Sequence, residues 1–147
     1  MELNPYSRRF AERLFSARPE WRELATRDPD GFPPPGSLLV SVASPVPGRR
    51  LLVRTYGDQV TVDFGPHGWH THFLTAMSRD EAAAFDAALR LVDDLLAERV
   101  AVLSRELFGL RGWTRLIGPG VVPRRPLVGR VEVYSWRGGR DAVLGRA

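Results

Sequence analysis

Cysteine and lysine are both absent from the 147-residue sequence. The lack of cysteine excludes thiol nucleophiles, CxxC redox pairs, iron–sulfur clusters and cysteine zinc sites. No apolar run approaches the roughly 18 residues that a membrane span requires, and the start of the chain, Met1–Pro5, lacks the basic and apolar segments of a secretory signal. We therefore expect a soluble, cytoplasmic protein that makes no membrane contact.

The usual nucleotide and hydrolase motifs are missing as well. The segment Gly118–Pro123 departs from the dinucleotide-binding pattern at its last position, and neither a phosphate-binding loop nor a Gly-x-Ser-x-Gly nucleophile elbow is present. The composition is that of a globular protein, with 44% hydrophobic and 26% charged residues. We expect a single α+β domain over 1–147, with a helical segment and connector in 1–36 and the sheet and a long helix in 37–147.

The first 36 residues favour helix and then an extended connector. Asn4 followed by Pro5 is a typical helix start, and apolar residues recur at helical spacing to about Ala17. Pro19 is placed to begin a second helical turn. The proline-rich run 28–36 predicts a connector, because proline lacks a backbone donor and favours extended or turn geometry.

From Leu38 onward the apolar residues alternate with a period of two, which predicts strands. We expect four segments separated by turn residues to form an antiparallel meander: Leu38–Ser44, Leu51–Tyr56, Gln59–Phe64 and Trp69–Leu74. Ser78 and Glu81 match a capping box, which predicts an amphipathic helix of about 20 residues after it. Further strands are expected at Val100–Leu107, Trp113–Ile117 and Val131–Trp136. The predicted fold is one antiparallel sheet of about six or seven strands with the long helix packed across it.

The loop lengths of this meander determine which residues lie opposite one another. A two-residue loop at Gly57-Asp58 and a four-residue loop at Gly65–Gly68 set the register of three strands. In that register, two cross-strand rows of polar side chains lie side by side, on the sheet face turned away from the helix. These residues, which we predict to bind a partner, are Arg54, Thr61, Asp63, His70 and His72.

Two catalytic chemistries also fit this cluster. His70 and His72, with Asp63 on the next strand and His67 on the loop, are residue types that hold zinc or another divalent metal, whose bound water would support hydrolysis. Without a metal, Asp63 could hold His70 in one tautomer as a general base while Arg54 stabilises developing negative charge.

A structural interpretation competes with both chemistries, because the solvent-facing side of an antiparallel sheet ordinarily carries polar residues. The His-x-His spacing resembles part of the cupin metal motif, but residues 73–77 lack the glutamate that follows it in cupins. The long helix also departs from a cupin jelly roll. We therefore expect no cofactor and favour a role without catalysis.

The C-terminal third is basic, with ten arginines against three acidic residues in 99–147. Arginines interleaved with aromatic residues could follow a phosphate backbone and stack on bases. The residues concerned are Arg111, Trp113, Arg115, Arg124, Arg125, Arg130, Tyr134, Trp136, Arg137 and Arg140. An acidic protein fits the same charge. Since no recognised nucleic-acid module is present, nucleic-acid binding is the least favoured alternative.

Three short segments carry a resemblance to a known family. Gln59–Phe64, Trp69–Phe73 and Ser135–Gly138, with the acidic helix between them, resemble a family of small bacterial proteins that is associated with the immunity partners of polymorphic toxins. The resemblance covers roughly residues 50–140, and the family has a glutamate where this chain has Gln59. It implies a non-enzymatic inhibitor that neutralises a toxin, or another protein partner, by occluding it with a surface rather than a cleft.

Overall fold

The computed structural model describes residues 2–27, 35–66, 68–75, 80–108 and 110–145. Its helices are α1 (Pro5–Ala17), a 3-10 helix (Pro19–Leu24) and α2 (Glu81–Leu96). Its strands are β1 (Ala25–Arg27), β2 (Leu38–Ala43), β3 (Arg50–Tyr56), β4 (Gln59–Phe64), β5 (Trp69–Leu74), β6 (Ala101–Leu107), β7 (Leu110–Ile117), β8 (Arg130–Tyr134) and β9 (Ala142–Gly145). Most of the predicted connector, 28–34, lies outside the described residues.

The strands form two antiparallel sheets rather than one. The first sheet has the order β1-β2-β3-β4-β5, and the second has the order β7-β6-β8-β9. The α+β class with antiparallel strands is therefore confirmed, whereas the expectation of one sheet with six or seven strands is wrong. The strands after α2 pair only with one another in the described chain, with β6 between β7 and β8. Alternation predicts that a segment is extended, but it does not predict which strand becomes its neighbour.

Helix α1 begins where the sequence predicts, because the Asn4 side chain accepts a hydrogen bond from the Ser7 amide at 2.9 Å. Its apolar face is buried on the first sheet, with Phe10 and Leu14 inaccessible to solvent. A buried polar pair joins the two elements, since Ser7 Oγ and Thr55 Oγ1 are 2.6 Å apart. These hydroxyls satisfy each other away from water, so the pair adds no unsatisfied buried group.

Helix α2 begins at a different residue from the one the capping box predicts. Its N-cap is Asp80, whose side chain accepts from the Ala82 amide at 2.9 Å. Ser78 lies outside the described residues. Glu81 accepts from Arg9 of α1 at 2.6 Å, which makes it a contact between the two helices. The apolar stripe of this amphipathic helix, with Phe85, Ala88, Val92 and Leu95 buried, lies on the same sheet face as α1, and the helix has 16 residues rather than about 20.

The second sheet is joined to the first through the chain that follows β8. The Trp136 ring is buried, with its centroid 6.0 Å from that of Phe64 in β4. Ser44 Oγ donates to the Trp136 carbonyl at 2.6 Å. A smaller apolar cluster lies within the second sheet itself, built around Ala101 and Leu103. None of the helices in the described chain is long and apolar enough to cross a membrane.

Candidate functional site

The two cross-strand rows predicted from loop lengths are confirmed. Thr61 lies between Arg54 and His72, and Asp63 has His70 opposite it on β5. Both helices pack on the other side of this sheet, where Val60, Val62 and Phe64 are buried. The five polar residues thus share the face away from the helices. This face is called the histidine face below, and it consists of Arg54, Thr61, Asp63, His70 and His72.

An ion pair lies at the centre of the histidine face. Arg54 donates from Nε at 3.1 Å and from Nη2 at 2.9 Å to the same oxygen, Oδ2 of Asp63. The Asp63 side chain is only 12% exposed, and that of Arg54 is 32% exposed. Because both donors converge on one oxygen, the guanidinium and the carboxylate hold each other in one arrangement.

The two imidazoles flank this pair and are exposed. Their rings meet edge to face, with centroids 5.0 Å apart. His70 donates from Nδ1 to the Gly68 carbonyl at 3.1 Å, and His72 Nδ1 shares a 2.9 Å hydrogen bond with Thr61 Oγ1. Each ring is therefore oriented through Nδ1, which leaves its Nε2 atom as the ring nitrogen available to a ligand.

The general-base arrangement expected from the sequence is not formed. Asp63 Oδ1 is 4.0 Å from His70 Nδ1, beyond hydrogen-bond distance, because that nitrogen donates to the Gly68 carbonyl. Gly68 rather than Asp63 therefore orients His70. Arg54 is engaged by Asp63, so it is not a free cation poised for developing negative charge.

The candidate metal ligands offered by the sequence are His70, His72, Asp63 and His67. Within the described ranges, no group of three histidine or acidic side chains is arranged to hold a metal ion. His67, which the sequence offered as a further ligand, lies outside those ranges. One oxygen of Asp63 already accepts both Arg54 donors.

The histidine face lies on the first sheet, and its two imidazoles are exposed. Two concave regions, of about 450 Å³ beside α1 and α2 and about 370 Å³ on the second sheet, both lie away from the histidines. Beside the histidine face, Tyr56 is 39% exposed and Leu52 is half-buried. The arrangement therefore offers polar and apolar contacts side by side on an open sheet.

The basic and aromatic residues of the C-terminal third do not form one continuous strip. Tyr134 and Trp136 are buried, so they serve as core residues and not as stacking platforms. Arg130 pairs with Glu132. Arg140 is directed inward and donates to the Gly118 carbonyl at 2.5 Å. The remaining exposed aromatic of the predicted set is Trp113.

Sequence reasoning missed that the Ser135–Gly138 segment joins the two sheets. Glu98 follows α2 with a φ of 56°, and its Oε1 accepts from the amides of Arg137 at 2.8 Å and Gly139 at 3.2 Å. Burial raises the pKa of Glu98. The hydrogen bonds from Ser135 and these amides together lower it by more than burial raises it, so the pKa lies below its ordinary value. The repeated glycines at 138–139 were the available sequence signal of a tight turn.

Comparison of the chain with profiles of known protein families, with curated proteins and with solved structures gives no match.

Proposed function

We propose that this protein is a non-enzymatic, immunity-like binding module that neutralises a toxin or another protein partner by covering it with the histidine face. The observation that carries the proposal is the pair of exposed imidazoles, oriented through Nδ1 beside a fixed Arg54–Asp63 ion pair. The resemblance of the surrounding segments to immunity proteins supports the same function.

Preorganisation is the physical reason that such a face suits binding. Association loses less side-chain freedom when the contact groups are already held in place. Here the Arg54 and Asp63 side chains fix each other, and Thr61 and Gly68 hold the rings. Exposed Tyr56 adds an aromatic residue of the kind that is enriched in interfaces.

A site-specific crosslink tests this proposal directly. A photo-crosslinking amino acid replaces His72, and in a control variant it replaces Val143, which is exposed on the second sheet. After irradiation in an extract of the source organism, we expect a discrete protein adduct from position 72 and none from position 143. Equal labelling from both positions, or no adduct from position 72, would contradict the proposal.

The captured partner then allows a quantitative test. The double variant His70→Ala/His72→Ala should weaken its binding by about tenfold or more, because central interface contacts dominate affinity. Arg90→Ala, an exposed change on α2, is the matched control and should leave affinity unchanged. An unchanged affinity in the histidine variant would place the binding surface elsewhere.

The adjacent imidazoles also support a second proposal, a metal-dependent hydrolase. Both Nδ1 atoms are engaged, so a cation would bind through the Nε2 atoms of His70 and His72, with Asp63 and His67 as further candidates. Such binding to the folded protein predicts a rise in thermal midpoint with added zinc, manganese or nickel. His72→Ala should remove that rise. If none of these metals raises the midpoint of protein prepared without chelator or metal-affinity resin, the hydrolase proposal fails.

A further inference from the structure

One of the two concave regions lies on the second sheet, on strands that come later in the chain than those of the histidine face. The loop between β7 and β8 borders it together with residues of β6 and β7, and its volume is about 370 Å³. This surface is called the arginine groove below. Its lining includes Leu103, Arg105, Trp113, Arg115, Arg124 and Arg125.

The charge of the arginine groove is of one sign. Four arginines line it, and none of its lining residues is acidic. Within the described chain, none of these four arginines has a carboxylate at ion-pair distance, unlike Arg9, Arg18 and Arg49, which each form an ion pair of 2.6 Å. Four guanidinium groups around one concavity create a positive potential that favours an anionic ligand.

Arg105 supplies an independent indication of a missing acceptor. It is half-buried, and its Nε atom is buried without any hydrogen-bond partner in the described part of the protein. The Arg105 guanidinium is therefore not saturated by protein acceptors in the described ranges, and its N–H donors can serve a ligand oxygen in the groove that it lines. A carboxylate is the group that matches the fork of a guanidinium best among protein side chains.

The floor of the groove is apolar. Leu103 is buried there, and Trp113 remains 43% exposed with the Arg115 guanidinium 5.1 Å from its ring centroid. That contact places a cation over one face of the indole ring. The loop wall adds Val122, which is 83% exposed. A ligand that carries both acidic and apolar groups would therefore match the lining.

We propose that the arginine groove binds an acidic peptide segment of a partner protein, with carboxylates at Arg105, Arg124 and Arg125 and an apolar side chain against Leu103 and Trp113. A single strand of nucleic acid fits less well, because successive bases need successive aromatic platforms and the groove has one aromatic residue. This proposal goes beyond the proposed function, since it assigns a separate site on another sheet.

A peptide display experiment tests the groove with the intact protein. Short random peptides are selected on the wild type, and selected sequences are measured by fluorescence anisotropy against versions with glutamine and asparagine in place of their acidic residues. We expect enrichment of peptides with two or more acidic residues near a large apolar one. Binding should weaken by about tenfold in Arg124→Gln/Arg125→Gln, two exposed loop changes that do not disturb the core. Arg105→Gln, checked for folding by circular dichroism, should have the same effect.

Two control variants separate the outcomes. Arg90→Gln removes one positive charge outside the groove and should leave peptide affinity unchanged. His70→Ala/His72→Ala should also leave it unchanged, so a failure of the proposed function is distinguishable from a failure here. The proposal is overturned if no acidic peptides are enriched, if the groove variants bind them as well as the wild type does, or if oligothymidylate binds more tightly and depends on the same arginines.

Discussion

At the level of single residues, an ion pair between Arg49 and Asp141 connects two segments that are far apart in the chain. Arg49, in the β2–β3 loop, donates to both carboxylate oxygens of Asp141, at 2.8 and 2.6 Å, and the Ser135 amide donates to Asp141 Oδ1 at 3.0 Å. Burial raises the pKa of Asp141. Arg49 and the Ser135 amide together lower it by more than burial raises it, so the pKa lies below its ordinary value.

This pKa predicts an acid-sensitive contribution to stability. A lowered folded-state pKa stabilises the protein above the unfolded value of about 3.9, and the contribution disappears as the pH falls through the folded value. Near neutral pH, Asp141→Asn should reduce the free energy of unfolding by about 2 kcal/mol. The difference from wild type should narrow below about pH 4, as followed by urea unfolding across pH.

Asp86→Asn is the control for this prediction. Asp86 pairs with Arg13, but its side chain is 58% exposed, so the change should alter stability by less than about 1 kcal/mol. A pH-independent difference between wild type and Asp141→Asn would contradict the role assigned to the carboxylate.

At the level of elements, strand register was predictable, and so was the cap of α1, whereas the cap of α2 was not. The Gly57-Asp58 and Gly65–Gly68 loops set the pairings that the structure shows, because a hairpin of given loop length has few permitted registers. The start of α2 depended on more than local pattern. Both Ser78 and Asp80 are good N-cap residues, the structure has Asp80 as the cap, and Glu81 accepts a hydrogen bond from Arg9 of another helix.

Replacing the N-cap of α2 tests this assignment. Asp80→Ala removes the acceptor of the Ala82 amide and should lower the free energy of unfolding by about 1 kcal/mol. Arg90→Ala, exposed in the middle of the same helix, should change it by less than about 0.5 kcal/mol. Chemical denaturation followed by circular dichroism measures both, and a loss no larger than that of the control would rule out Asp80 as the cap.

At the level of the whole molecule, the two sheets are joined by the turn that contains Trp136. Its ring packs on Phe64, its carbonyl accepts from Ser44, and Glu98 binds the turn from the end of α2. Glycine at position 138 allows this turn to form. Its φ of +80° is unfavourable for other residues, and an added Cβ would lie 3.3 Å from the Val46 side chain.

The packing of Trp136 between the sheets predicts that two tryptophan substitutions differ strongly in their effect on the free energy of unfolding. Trp136→Ala leaves a cavity between the sheets and should lower the free energy of unfolding by at least about 3 kcal/mol. Trp113→Ala, at a 43% exposed position, should lower it by no more than about 1 kcal/mol. Urea unfolding followed by far-ultraviolet circular dichroism provides the comparison, and equal losses would show that Trp136 does not join the sheets.

Short-range patterns sufficed for α1, for the β2–β5 meander and for the apolar stripe of α2, because each depends on periodicity, caps and loop lengths within a few neighbouring residues. The same rules placed the polar side chains of the histidine face in their rows. Asp63 then paired with Arg54 and not with His70, and the strands after α2 formed their own sheet around Trp136. Those outcomes depend on groups that come together only in the folded chain. There, several acceptors compete for one donor, and several apolar surfaces compete to pack against the same face.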